Sequence, residues 1–231
     1  LLQDEIIRKA VLNDLDVHLF HCWYSVLNST DDLIELIKST PITILERNRQ
    51  KKIYNNKTST VLEDGFATLF LNRINYSGVL FAGPIGGKNQ DKTYPLDCRF
   101  NKDKIIERIC SVRKLKSKIK LKHLDAARLI AKESCSKKQK KFFYIDPPYV
   151  EKGKMLYETY FMENDHINLE HVIEEHLKEY PWLVTYDDSE LVKKIYSDFL
   201  IKEYNMYHSA RSREMGKELV ITNLPRNKFE W

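Results

Sequence analysis

Phe142-Phe143-Tyr144-Ile145-Asp146-Pro147-Pro148-Tyr149 is the stretch that decides how the rest of the chain is read. Its first four residues are apolar without alternation, the pattern of a short strand covered on both faces in a parallel sheet. The run stops at Asp146. Two consecutive prolines remove two backbone donors and hold the chain extended, which leaves the carbonyls beside Asp146 and Pro147 free of the ladder at the strand's end. Carboxylate and carbonyl together form an acceptor-only pair suited to a planar amine with two hydrogens, and Tyr149 sets an aromatic face beside it for a stacked ring. Asp146, Pro147, Pro148 and Tyr149 are therefore the candidate catalytic group. A Pro-Pro turn capped by Asp also serves as an inert loop in many proteins. Its place at the carboxyl end of a buried strand favours the ligand site, because that is where open parallel sheets bind.

On either side of this stretch the chain alternates helix and strand, which predicts an α/β fold on a mostly parallel sheet. Ala10-Val11-Leu12 reads as a buried strand that opens into a loop at Asn13-Asp14-Leu15-Asp16. Helical spacing follows at Leu19, Phe20, Trp23, Val26 and Leu27, then at Leu33, Ile34 and Ile37 behind the capping signal Thr30-Asp31-Asp32. Residues 42–54 and 61–74 read as two more helices. Residues 75–101 break the pattern, with Gly78, Gly83, Pro84, Gly86, Gly87 and Pro95 crowded into a loop or hairpin insertion. Further helices are predicted at 102–112, 126–134, 169–177 and 190–196, and further strands at 119–123, 182–186, 200–204 and 219–222. Residues 1–40 and 102–231 are expected to form the catalytic core, with 41–101 inserted into it.

The 231 residues are 42% hydrophobic and 31% charged, which describes one soluble domain, or one with an insertion, able to bury a core. With 7 Gly and 7 Pro the chain is no low-complexity sequence, and 13 Tyr with 10 Phe exclude a disordered one. No uncharged run approaches the roughly 20 residues that cross a bilayer, and Leu1-Leu2-Gln3-Asp4-Glu5 is no secretory signal. A cytoplasmic protein with no membrane partner is expected. Four cysteines, at 22, 98, 110 and 135, form no close pair, so reduced structural thiols and no metal site are expected.

The net charge of +5 says less than its distribution. Between Lys88 and Lys122 twelve basic residues face four acidic ones, while 151–188 is acidic. Such a tract suits a phosphate backbone, or is simply a solvated face. Arg73 and Arg99 are candidates to read guanine or bind phosphate, and Arg113, Lys114 and Lys116 to bind phosphate. The bland reading of each is a hydrated surface side chain.

The tetrapeptide does not stand alone. Val11-Leu12-Asn13-Asp14-Leu15-Asp16, Phe70-Leu71-Asn72-Arg73, Ser77-Gly78, Gly83-Pro84-Ile85-Gly86-Gly87, Asp97-Cys98-Arg99-Phe100-Asn101, Ala210-Arg211 and Gly216-Lys217-Glu218-Leu219 accompany it in this order. With them the chain resembles, over nearly its whole length, the Dam-like family of S-adenosylmethionine-dependent, adenine-specific DNA methyltransferases. The resemblance implies a Rossmann-like methyltransferase sheet and transfer of a methyl group from S-adenosylmethionine to the exocyclic amine of an adenine flipped out of double-stranded DNA. Residues 41–101 become the target-recognition region.

For the cofactor, the resemblance implies that Asp14 accepts the ribose hydroxyls, with Asp16 the nearby alternative, and that Asp125 receives the cofactor's adenine amine. The bland reading of such an Asp is a helix N-cap. Lys154, Tyr157 and Tyr160, within 153–160, lie on a loop that either closes over substrate or merely connects. The family places a Phe-x-Gly-x-Gly loop after its first strand, and this sequence has none before Asn13-Asp14, so the chain is expected to lack its natural N-terminal strand and glycine loop. A bacterial or phage-type cytoplasmic enzyme, with room for a restriction endonuclease partner, is implied. Two alternatives stay open: methylation of the cytosine exocyclic amine, and a DNA-binding or partner-binding relative that has lost cofactor competence.

Overall fold

The computed structural model describes residues 1–135, 140–150, 161–207, 215–225 and 227. The expected closing loop at 153–160 and the segment Ala210-Arg211 lie outside the described residues. The chain divides into two compact units, Leu1–Leu124 and Asp125–Trp231.

The first unit runs β1 (Ala10–Asn13), α1 (Val17–Asn28), α2 (Thr30–Ser39), α3 (Ile44–Tyr54), α4 (Val61–Ile74), α5 (Lys102–Arg113) and β2 (Ile119–Lys122). β1 and β2 pair in parallel, with Ala10 opposite Ile119 and Asn13 opposite Lys122. α4 begins where its sequence predicts, because Thr60 and Glu63 close a capping box that satisfies the first orphan amides. It crosses close to α1 at Gly65: a Cβ there would lie 2.5 Å from both the His21 carbonyl oxygen and Ser25 Oγ, so only glycine fits. Beside Gly65 in the same contact, Asp64 spans the two helices. Its two carboxylate oxygens take His18 Nδ1 and His21 Nδ1, each at 2.7 Å, and the carboxylate is almost wholly buried. Leu33, Ile37, Phe66, Phe70, Phe100 and Ile109 fill the core that α2, α4 and α5 share.

The capping signal at Thr30-Asp31-Asp32 is not used as one. Only Ser29 separates α1 from α2, and the Thr30 hydroxyl donates back to the Val26 carbonyl at 2.7 Å instead. The expected loop at 75–101 is present, but it holds a single bridge, Asn75 to Pro84, in place of a hairpin. Side chains organise it. Asn75 donates to the carbonyls of Val79 and Leu80 and accepts from Arg47 Nε, while Arg47 Nη2 donates to Ala82. Gln90 donates to Ile85 and Gly87 and accepts from Leu96 N. The turn between them needs Gly86, at φ 81°, where a Cβ would meet the Tyr94 carbonyl at 2.7 Å.

The second unit runs α6 (Ala126–Ser134), β3 (Phe143–Ile145), α7 (Glu163–His176), β4 (Trp182–Asp187), α8 (Glu190–Ile195), β5 (Leu200–Tyr207) and β6 (Met215–Thr222). Its sheet has the order β3-β4-β6-β5. β3 and β4 are parallel, whereas β6 is antiparallel to both β4 and β5. The mostly parallel expectation is thus corrected to a mixed sheet: residues 208–214 between β5 and β6 are fewer than the dozen or so a parallel crossover needs. α7 starts six residues earlier than predicted, since its first turn is polar and shows no apolar period. Asp165 caps that turn by accepting from Met162 N at 2.7 Å.

Trp182, Val184 and Tyr186 on β4 and Leu219 and Ile221 on β6 point into the core with Leu169 and Ile173 of α7. Strand β3 is less enclosed than its apolar sequence implies. Ile145 is buried, but Tyr144 is 61% exposed, because β3 pairs only with β4 among the described residues.

Candidate active site

The carboxyl end of β3 delivers Asp146 into solvent, while Pro147 behind it is buried. Strand β4 runs alongside in parallel, so its own end lies beside the tetrapeptide. From it, Thr185 Oγ1 donates to Asp146 Oδ1 at 2.8 Å, and Tyr144 Oη lies 3.3 Å from the same Thr185 oxygen. Asp146 Oδ2 has no hydrogen-bond or ion-pair partner among the described residues. One oxygen of the carboxylate is anchored and the other is open.

Two further acids hold Tyr149 and Val150. Tyr149 Oη donates to Glu218 Oε1 at 3.0 Å, and Val150 N donates to Asp187 Oδ1 at 2.9 Å. Asp187 and Glu218 face each other across β4 and β6, and both are buried. Like charges directly opposite on a sheet repel; the donors of the Tyr149-Val150 segment offset that repulsion, so tetrapeptide and sheet end hold one another. Beyond the stacking face read from the sequence, the Tyr149 hydroxyl is thus tied to Glu218. Thr185 and Asp187 escaped the sequence reading as site residues, and Glu218 entered it only within the segment Gly216-Lys217-Glu218-Leu219, with no role of its own. For Asp187 the available signal was that, like Asp146, it ends an apolar strand.

In the first unit, Asp14 follows β1 and is partly buried; Asp14 Oδ1 accepts from Asp16 N at 2.9 Å. Burial holds its carboxyl above the ordinary aspartate value, with the nearby Asp16 charge adding to that and His123 opposing it. The strand end is clamped by Asn13, whose amide donates to the Leu124 carbonyl at 2.8 Å and accepts from Leu124 N at 3.0 Å. His123 Nε2 lies 3.0 Å from the Leu15 carbonyl oxygen, and its ring stacks on Phe20. Asn13 and His123 were not singled out from sequence.

The N-cap reading falls on the other two acids. Asp16 Oδ1 accepts from His18 N and Leu19 N and caps α1, and Asp125 Oδ1 accepts from Arg128 N and caps α6. Asp14 caps no helix.

The basic candidates separate into committed and uncommitted side chains. Arg73 donates through Nε and Nη2 to the Arg99 carbonyl, bracing the end of the loop, and burial with the charges of Arg99 and Arg108 lowers its pKa. Arg113 makes a two-pronged pair with Asp31 on α2. Lys114 and Lys116 are exposed, and neither they nor Arg99 has a carboxylate partner among the described residues. Of the cysteines, Cys22 is partly buried, and desolvation with the nearby Asp64 charge pushes its thiol up to about 12, as befits an inert structural thiol.

One strand end of this α/β chain thus carries an anchored carboxylate and a carbonyl freed by proline, two acceptors whose chemistry suits an amine. Residues 3–214 match the D12 class N6 adenine-specific DNA methyltransferase family, and the chain belongs to that family. No curated protein matches it. The activity of the family is methyl transfer to adenine N6 in DNA, which decides between the two exocyclic amines in favour of adenine. No helix among the described residues is long and apolar enough to cross a membrane.

Proposed function

We propose that the chain methylates a flipped adenine at the end of β3, with S-adenosylmethionine as the methyl donor and a double-stranded DNA site as substrate. The observation that carries this reading is the half-anchored carboxylate of Asp146, beside a Pro147 carbonyl that accepts no hydrogen bond among the described residues. Adenine within a duplex cannot present its amine to a methyl donor, so the base must leave the stack, at a cost of about a few kcal/mol. Asp146 Oδ2 and the Pro147 carbonyl then accept the two amine hydrogens. As positive charge develops on the attacking nitrogen, these acceptors stabilise the transition state more than the neutral base, which is electrostatic catalysis without full proton abstraction. Tyr149 stacks on the base, and Pro148 keeps the segment extended.

Asp14 at the end of β1 and, in the second unit, Asp125 are each suited to one of the donor's polar groups. Asp14 is a partly desolvated carboxylate at a strand end that caps no helix, which suits the ribose hydroxyls; Asp16 is the lesser candidate because its Oδ1 is spent on α1. Asp125 retains Oδ2 for the donor's adenine amine. When bound, the donor would supply an electrophilic sulfonium methyl, and Asp146 with the Pro147 carbonyl would orient the amine nitrogen that attacks it.

Residues 41–101 act in target recognition. Arg99 contacts base or phosphate, with Lys114 and Lys116 on phosphates, while Arg73 and Arg113 serve mainly to brace the surface that carries them. Tyr76 and Phe81, exposed on the ordered loop, offer faces for stacking. The site of action is the cytoplasm of a bacterial or phage-infected cell, and pairing with a restriction endonuclease would give modification its use. The test is methylation mapping of DNA from cells expressing the complete gene. N6-methyladenine at one recurring sequence supports the reading, and unmodified adenine throughout contradicts it.

A further inference from the structure

Thr185 stands between two partners with a single proton to give. Its oxygen is 2.8 Å from Asp146 Oδ1 and 3.3 Å from Tyr144 Oη. An ionised carboxylate accepts only, so the Thr185 hydrogen points at Asp146 and the bond to Tyr144 runs the other way. Donation therefore passes in one direction, from the Tyr144 phenol to the Thr185 hydroxyl to the Asp146 carboxylate. The strand register makes this possible, since Ile145 pairs with Val184 and brings the next residues of the parallel strands side by side. Asp146 is otherwise exposed and rooted only by its backbone. Without a partner, its carboxylate would rotate between equivalent acceptor positions.

We propose that Thr185 is a positioning residue for methyl transfer: it locks Asp146 Oδ1, so that Oδ2 alone meets the target amine, and Tyr144 sets the direction of its hydroxyl. The proposal rests on the reading of Asp146 as the amine acceptor. An acceptor displaced by a fraction of an ångström from the amine lowers the rate of the chemical step while leaving DNA affinity alone, because the base is gripped elsewhere.

The experiment uses the full chain, labelled S-adenosylmethionine, and DNA from a host without adenine methylation, in single-turnover and steady-state assays. Thr185→Val preserves shape and removes the hydroxyl. It is expected to slow the single-turnover step by about ten- to a hundredfold, the value of one hydrogen bond to a charged group, with KM for DNA unchanged. Thr185→Ser restores the hydroxyl and is expected within about threefold of the parent by the same reasoning. In an Asp146→Asn background the valine substitution is expected to add little further loss.

If Asp146→Asn is inactive while Thr185→Val keeps the parental rate, the proposal falls and the catalytic reading stands. If Asp146→Asn itself is fully active, the catalytic reading falls first. Equal losses for valine and serine would mean that packing, not the hydroxyl, is what matters, and would also overturn the proposal. Should the valine variant fail to fold, Tyr144→Phe, at an exposed ring, is the second probe. A loss of about two- to fivefold in rate at constant KM is expected for this weaker, neutral bond, and no change would contradict the relay.

Discussion

Replacing Tyr149 by Phe removes one atom and asks what holds the tetrapeptide in place. The phenol donates to Glu218 Oε1 at 3.0 Å, and Glu218 is 8% exposed, so the bond joins a neutral donor to a poorly hydrated carboxylate. A hydrogen bond of that kind contributes about 1.5–3 kcal/mol, and because Tyr149 itself is only half-buried the lower end, about 1.5 kcal/mol, is the working value. If the lost energy is felt as disorder of the segment that carries Asp146, it corresponds to roughly a tenfold slower chemical step. Tyr149→Ala loses the ring as well, worth roughly 1–3 kcal/mol of base stacking, and is expected to fall at least another tenfold below Phe. The assay is single-turnover methyl transfer for Tyr149→Phe, Tyr149→Ala, Glu218→Leu and Tyr149→Phe with Glu218→Leu. The two substitutions that break the same bond should be strongly non-additive. Parental activity for Phe, together with additive losses in the double variant, would refute the link through Glu218 and leave the ring face as the contribution of Tyr149.

Burial holds the Asp14 carboxyl above its ordinary value, so the folded chain keeps that proton to higher pH than the unfolded chain, and ionised Asp14 subtracts stability as pH rises past the usual carboxylate range. Asp14→Asn is therefore expected to be at least as stable as the parent at neutral pH, by chemical denaturation, while binding S-adenosylmethionine more weakly; a less stable variant would contradict the burial argument. Asp64→Ala strands His18 and His21 at the α1–α4 contact and is expected to cost about 2–3 kcal/mol in denaturant titrations, discounted because both rings are partly exposed. Neutralising Lys114 and Lys116 should weaken binding to all duplexes alike and lower the salt slope by roughly one unit per lost phosphate contact, whereas Arg99→Ala should alter which sequence is methylated. An unchanged slope and unchanged specificity would remove these residues from the DNA interface.

Most element positions were legible because local signals agreed with one another. α4 spans the predicted 61–74 because a capping box and an apolar run mark the same start, and β1 ends at Asn13 where the sequence turns polar. The polar first turn of α7 gave no periodicity to read. Parallel pairing was legible for β1 with β2 and for β3 with β4, where helix and strand alternate, but the antiparallel direction of β6 was not, since only the short link between β5 and β6 carried that information. Asp146 could be found because proline leaves a mark in sequence. Its partner Thr185 and the Tyr149 partner Glu218 could not, because they reach the tetrapeptide through strand register, with 39 residues separating Thr185 from Asp146 and 69 separating Glu218 from Tyr149. Among the acids, sequence could not tell a helix cap from a ligand acceptor. The hydrogen-bond geometry separates Asp16 and Asp125, which cap helices, from Asp14, which does not.

The proposed function makes Asp146 the residue on which catalysis turns, and nucleoside analysis tests that most directly. The full chain and Asp146→Ala are each incubated with S-adenosylmethionine carrying a labelled methyl group and with unmethylated duplex DNA, which is then digested to nucleosides and resolved by mass spectrometry. Asp146 sits exposed at a strand end, so its loss should leave the thermal midpoint essentially unchanged. The predicted result is label in the N6-methyladenine nucleoside alone for the parent and a loss of at least a thousandfold, roughly 4 kcal/mol, for the variant. Label in cytosine, or an Asp146→Ala variant within a few-fold of the parent, would contradict it.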